Sequence, residues 1–145
     1  MSKTEDFLTA NEEQEIVQAI ATAEKDTSGE IRVHIEEHTE KPPLERAQEV
    51  FLSLDMQNTK DRNGVLFYVG VTNKYFAIVG DEGINKVVEA DFWNSTKDIV
   101  IEHFKNNQNK EALVKGIIEA GKRLKEFFPY QSDDINELPN EISKG

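Results

Sequence analysis

Glu30-Ile31-Arg32-Val33-His34-Ile35-Glu36 alternates without a break, with Ile31, Val33 and Ile35 on one side and only polar side chains on the other. A period of two is the mark of a β-strand, here with one covered face and one wet or partly wet face. Pro42-Pro43 then open a helix whose apolar stripe is Leu44, Ala47, Phe51 and Leu54. After a polar loop from Asp55 to Asn63, the run Val65-Leu66-Phe67-Tyr68-Val69 is almost continuously hydrophobic, which predicts a central strand covered on both faces. A strand, a helix and a strand in this order predict a parallel pair joined by a right-handed crossover.

The flanks complete the pattern. Thr9 and Glu12 have capping-box spacing, and Ile16, Ala19, Ile20 and Ala23 behind them share a helical face that Ser28-Gly29 brings to a stop. Beyond the central strand, Thr72-Asn73-Lys74 leads into Tyr75-Phe76-Ala77-Ile78-Val79, an antiparallel hairpin partner that ends in Gly80-Asp81-Glu82-Gly83. A short turn near Ile84, a helix from Asn94 to Phe104 and a longer one from Lys110 to Phe128 follow. The last has Leu113, Ile117, Ala120, Leu124 and Phe127 on one face, and Pro129 closes it. The expected architecture is a three-layer α/β/α sandwich around a small mixed sheet. Residues 7–130 form the domain, between an N-terminal tail of residues 1–6 and an acidic, disordered tail of residues 131–145.

Composition narrows the function classes. The 145 residues include 28 Asp and Glu against 17 Lys and Arg, a formal charge of -11 that repels nucleic-acid phosphates and anionic membranes. No cysteine is present, which removes disulfides, thiolate metal sites and cysteine nucleophiles. No apolar run reaches the length of about 20 residues that a membrane span needs, and Met1 to Asp6 lacks a signal-peptide core. A cytoplasmic, acidic domain without nucleic-acid or membrane partners is expected.

The topology makes a geometric claim about the acidic residues. Two parallel strands begin at Glu30 and after Asp61-Arg62-Asn63-Gly64, and the hairpin partner runs back to end at Gly80-Asp81-Glu82-Gly83. Three loops should therefore bring Glu30, Asp61, Asn63, Asp81 and Glu82 to one rim, with Asp91 following closely. Carboxylates gathered on a partly desolvated rim repel one another, and a hard divalent cation with oxygen ligands relieves that repulsion. Calcium suits flexible loops better than magnesium, which remains the second choice. Each residue also has a plain structural reading. Asp61 to Gly64 is turn chemistry in which glycine takes positive φ, and Asp81 or Glu82 can cap the short helix near Ile84.

The order of motifs resembles a known family. The capped first helix, Ser28-Gly29-Glu30-Ile31-Arg32-Val33, Asn63-Gly64-Val65-Leu66 and Val79-Gly80-Asp81-Glu82-Gly83-Ile84 look like the TPM domain family over about residues 7 to 128. The resemblance implies an α/β/α sandwich with a pair of loops that cross near one end of the sheet. Some members bind calcium there, and some have phosphatase or nucleotide-hydrolysing activity. Carried onto this chain, the crossing loops are those around Asp61-Asn63-Gly64 and Asp81-Glu82-Gly83. Asp81 and Asp61 come first as ligands, followed by Glu30, Asn63, Glu82 and Asp91. Many members add an export signal and a membrane-spanning or glycine-rich tail, and this sequence shows neither, so a stand-alone domain is expected.

Three readings compete: a calcium-binding regulatory module, a metal-assisted phosphatase or nucleotide hydrolase, and a protein-interaction module whose partner is unknown. No phosphate loop or paired aspartyl-phosphate motif supports hydrolysis, and an acidic rim repels phosphate esters. Its nearest cation is Arg62. A zinc site on His34 and His38 fails because a strand spaces them by about 13 Å. An EF-hand fails because Gly64 at the sixth position would leave Thr59 first and Gly70 twelfth. All three histidines, His103 included, are expected at the surface, and Phe92 and Trp93 are expected to anchor the following helix to the core.

Overall fold

The computed structural model describes residues 7–72, 74–130 and 138–145. Its elements are α1 (Ala10–Ala23), β1 (Glu30–Glu36), α2 (Pro43–Ser53), β2 (Gly64–Gly70), β3 (Tyr75–Gly80), α3 (Glu82–Asn85), α4 (Asn94–Lys105), α5 (Asn109–Lys125) and β4 (Ser143–Lys144). The strand order is β3-β2-β1-β4. β1 and β2 run parallel with Glu30 opposite Gly64, and β2 and β3 run antiparallel with Val65 opposite Gly80.

The alternation in β1 sorts the layers. Ile31, Val33 and Ile35 face a core built with Val65, Phe67, Val69 and Ile78 and with the apolar stripes of α1, α4 and α5. The opposite face carries Leu66, Tyr68 and Ala77 under Ala47, Val50 and Phe51 of α2. β2 is buried along its whole length, as a central strand covered on both faces must be. Among the described residues the sandwich therefore has α1, α4, α5 and the short α3 on one side of the sheet and α2 on the other. The capping box of α1 is present, with the Thr9 amide donating to Glu12 Oε1 (2.9 Å) and the Glu12 amide to Thr9 Oγ1 (3.1 Å). Phe92 and Trp93 are buried anchors, packed edge-to-face on each other.

Several expectations change. The residues from 131 to 137 lie outside the described residues, as does Asn73, but residues 138–145 are ordered rather than a free tail. Ser143 and Lys144 pair parallel to β1 opposite His34 and Ile35, and Leu138 is buried in the cluster under α2. β4 covers the edge of β1, and contacts with Leu138, Tyr68 and Arg46 of α2 close the face expected to be wet, so Glu30, His34 and Glu36 are buried. His34 is thus a core residue and not a surface one, whereas His38 is exposed beside Glu40. Leu44 stands 52% exposed, and Val50 takes the place expected for it in the stripe of α2. Phe127 is 42% exposed because α5 ends at Lys125, one turn before Pro129 releases the chain.

Candidate functional site

The three loop ends do meet. The Glu30 amide donates to Asn63 O (3.3 Å), the Asp81 amide to Gly64 O (3.0 Å), and the Gly83 amide to Arg62 O (2.9 Å). The loops from Thr59 to Asn63 and from Asp81 to Gly83 cross here. A Cβ on Gly83 would lie 2.2 Å from the Asp61 carbonyl oxygen and 2.5 Å from that of Arg62, so only glycine permits the approach. The left-handed residue of the turn is Arg62 (φ 50°), whereas Gly64, expected in that role, begins β2 with ordinary φ. An arginine in this region costs roughly 1–2 kcal/mol. Its carbonyl and its side chain are what the crossing uses in return.

Arg62 clamps the crossing. Its Nε and Nη2 donate to the two oxygens of Asp81 (2.8 and 3.0 Å), and its Nη1 reaches Glu82 Oε1 (3.2 Å). The bond to Asp81, only partly opposed by desolvation, raises the basicity of the guanidinium above its ordinary value. Asp81 is buried and also caps α3, accepting the Glu82 amide at 2.7 Å. The helix-capping reading of Asp81 is therefore realised, with an ion pair added.

The remaining predicted residues have other roles. Glu30 is buried and accepts the Leu138 amide at Oε1 (2.7 Å). The Asn63 side chain donates to Ser28 Oγ (3.3 Å), and its own amide donates to Thr59 Oγ1 (3.3 Å). Asp61 is exposed and contributes its carbonyl to the crossing. Asp91 is also exposed, and its carbonyl accepts the Asn94 amide (3.0 Å) at the start of α4. Among the described residues, no three His, Cys, Asp or Glu side chains stand together as a ready metal cage. The donors at the crossing are nevertheless all oxygen, from Asp81, Glu82 and the paired carbonyls of Asp61 and Arg62, which is the chemistry a hard cation requires.

Two carboxylates escaped the sequence reading. Glu24 follows α1 and accepts the Ile31 amide (3.0 Å). Burial pushes its carboxyl up to about 7, the charge of Glu30 adds to the rise, and the bonds from Ile31 and Asn140 oppose it. At the other end of β1, burial would raise Glu36, but hydrogen bonds from Arg46, Tyr68 and His34 outweigh it and hold the carboxyl at about 2. Alternation marks Glu36 as solvent-facing, so nothing local signals this hub.

The family model for the TPM domain, labelled a TPM phosphatase, matches residues 1–123. The chain belongs to the TPM domain family. Solved TPM-like structures share the fold. The BA42 protein of the psychrophilic bacterium Bizionia argentinensis, solved by NMR, is 55% identical over the whole of both chains, with a TM-score of 0.93. The N-terminal domain of a P. gingivalis protein is 16% identical, with 84% of this chain and 79% of that one covered and a TM-score of 0.69. The N-terminal domain of the cg2496 protein of Corynebacterium glutamicum is 9% identical, with 95% and 81% covered and a TM-score of 0.64. A search of curated proteins returned no match. No helix among the described residues of this TPM domain is long and apolar enough to cross a membrane.

Proposed function

We propose that this TPM domain is a divalent-cation-binding module whose crossing loops take up calcium. One observation carries the reading: the guanidinium of Arg62 is shared by two carboxylates, Asp81 and Glu82, so the formal charges of these three groups sum to minus one. Asp81, Glu82 and the carbonyl of Asp61 are the donors best placed to hold the ion. Asn63 donates its side-chain amide to Ser28, and Asp91 is exposed ahead of α4. A bound divalent cation supplies positive charge that pins loops whose carboxylates repel, so loop order and stability follow its concentration. At a free concentration of about 100 times the dissociation constant, one site adds about 2.7 kcal/mol. Such a domain responds to calcium when its affinity lies near working concentrations and is stapled by it when affinity is much tighter.

Calorimetric titration of chelator-stripped protein, with magnesium as the control, tests this. Saturable, calcium-selective binding that Asp81→Asn with Glu82→Gln abolishes is the expected result. Absence of heat and of any change in Tm at millimolar calcium would remove the site. The family label makes metal-assisted phosphate hydrolysis the second reading. Turnover of p-nitrophenyl phosphate that requires calcium or magnesium and disappears in Asp81→Asn would favour it. Against it, the rim's carboxylates repel phosphate esters, and Arg62 already serves Asp81 and Glu82.

A further inference from the structure

Three side chains stand in series beside β4, at the far end of β1 from the loop crossing. Ser143 Oγ lies 3.0 Å from His34 Nδ1, and His34 Nε2 lies 3.1 Å from Glu36 Oε1. Ser143 comes from β4, opposite His34, and His34 and Glu36 occupy alternate positions of β1. Against the pull of burial, bonds from Arg46 Nε and Nη2 and from the Tyr68 hydroxyl keep Glu36 an ionised acceptor. An ionised acceptor beside Nε2 requires the proton on that nitrogen, so the neutral imidazole turns the lone pair of Nδ1 toward Ser143. Burial holds His34 below its ordinary value, opposed by Glu36 and assisted by Arg46 and Arg32. The ring lies nearly parallel to that of Tyr68, with centroids 6.0 Å apart. The strap from Leu138 to Gly145 fixes the serine from both faces of the sheet. Leu138 is tied to Glu30, Asn140 to Glu24, Ile142 to the main core and the Gly145 amide to Ile35 O.

We propose that Ser143, His34 and Glu36 form a hydrolytic triad that cleaves activated carboxylic esters. A nucleophile, a base in hydrogen-bond reach of it and a third group that orients the base are the parts such a reaction needs. Ser143 is half-buried at the sheet edge, from which the ester approaches. Oγ bonds to the carbonyl carbon as its proton passes to Nδ1, and Glu36 stabilises the imidazolium through Nε2–H. The bond to the leaving oxygen breaks, that oxygen takes the proton from Nδ1, and the acyl group stays on Ser143. Water repeats the sequence: its proton goes to Nδ1, its oxygen joins the acyl carbon, and Oγ regains the proton as the carboxylic acid departs. The sum is ester and water to acid and alcohol. The two ring nitrogens exchange the roles they have in serine proteases, but the contacts of a triad are kept. Parallel pairing with the Gly145 amide on Ile35 O turns the Lys144 N–H away from β1. An amide on the residue after the nucleophile is a donor that hydrolases use for the developing oxyanion. Each missing oxyanion donor costs about 100- to 1000-fold in rate, so a site with this one suits esters whose leaving group is a weak base.

The test uses p-nitrophenyl acetate and a fluorophosphonate probe on the unsubstituted chain in the presence of chelator, which separates this site from the cation site. Expected are turnover with a burst of p-nitrophenol and a phosphonyl adduct that peptide mass analysis places on Ser143. Ser143→Ala should lose the adduct, and both it and His34→Gln should reduce turnover about 100-fold or more. Glu36 touches no substrate and is a positioning residue. Glu36→Gln should lower kcat about tenfold or more and move its acid limb to lower pH, because the imidazolium loses the carboxylate that favours it. Labelling of the unsubstituted chain decides the matter even if a variant fails to fold. Turnover unchanged in Ser143→Ala, an adduct on other residues only, or no adduct at all overturns the triad and leaves its bonds as a tie between β4 and β1.

Discussion

The molecule carries two arginine–carboxylate pairs, one at each end of β1, and they look alike at first. Arg46 meets Glu36 at 2.9 and 2.9 Å, and Arg62 meets Asp81 at 2.8 and 3.0 Å. In each, a half-exposed guanidinium covers a carboxylate that is about 5% exposed. The surroundings differ. Glu36 also accepts from Tyr68 and His34, and beyond Arg46 stands Glu49, itself paired with Lys41, so two cations answer two anions. Asp81 is joined by Glu82, and the two share the one guanidinium of Arg62. The same pair is a closed structural joint where charges and acceptors are fully matched, and an open electrostatic demand where they are not.

The largest effect expected on this comparison comes from Gly83→Ala. A methyl group there meets backbone carbonyls that cannot give way, so the loss should reach at least about 3 kcal/mol, or roughly 6–12 °C in Tm. Trp93 lies beside Gly80 and is the chain's single tryptophan, so its fluorescence reports on this end of the sheet. Next come the carboxylates. Glu36→Gln breaks a saturated, charge-matched network and should cost about 2–3 kcal/mol by urea denaturation. Asp81→Asn should cost nearer 1 kcal/mol, because asparagine still caps α3 and the surplus negative charge disappears. Equal losses at the two positions would contradict the charge imbalance.

The two ends should also answer pH with opposite signs. Glu36 is held below its ordinary 4.5, at about 2, so its contribution is full above pH 4.5 and is lost as pH falls through 2. Glu24, near the crossing, is raised from 4.5 to about 7, so its contribution is full below pH 4.5 and is lost as pH rises through 7. That second loss is no more than on the order of 3 kcal/mol. A series of Tm values from acid to neutral pH checks both limbs. Glu24→Gln should flatten the neutral limb and Glu36→Gln the acid limb; a neutral limb unchanged in Glu24→Gln would refute the assignment. The smallest effect is expected from Gly145→Ala, below about 1 kcal/mol. Its methyl group meets the side-chain ends of Glu36 and His34, which can shift, whereas Gly83 faces backbone.

Local patterns carried much of this protein. The alternation of Glu30 to Glu36, the apolar run of β2 and the spacing in α5 each settle an element within a few residues, because burial of one face dictates the period. Chain direction alone then brings the ends of β1, β2 and β3 to one rim, so the meeting of Glu30, Asn63 and Asp81 follows from order and topology. Partner choice did not follow. Arg62 on Asp81, Leu138 on Glu30 and Arg46 on Glu36 join residues 19, 108 and 10 positions apart. No periodicity encodes such pairings; packing of α2 and of the returning strap selects them. The wet face of β1 became buried for the same reason: a strand's alternation records which side chains differ, and only the assembled fold decides whether the second face meets water or another layer.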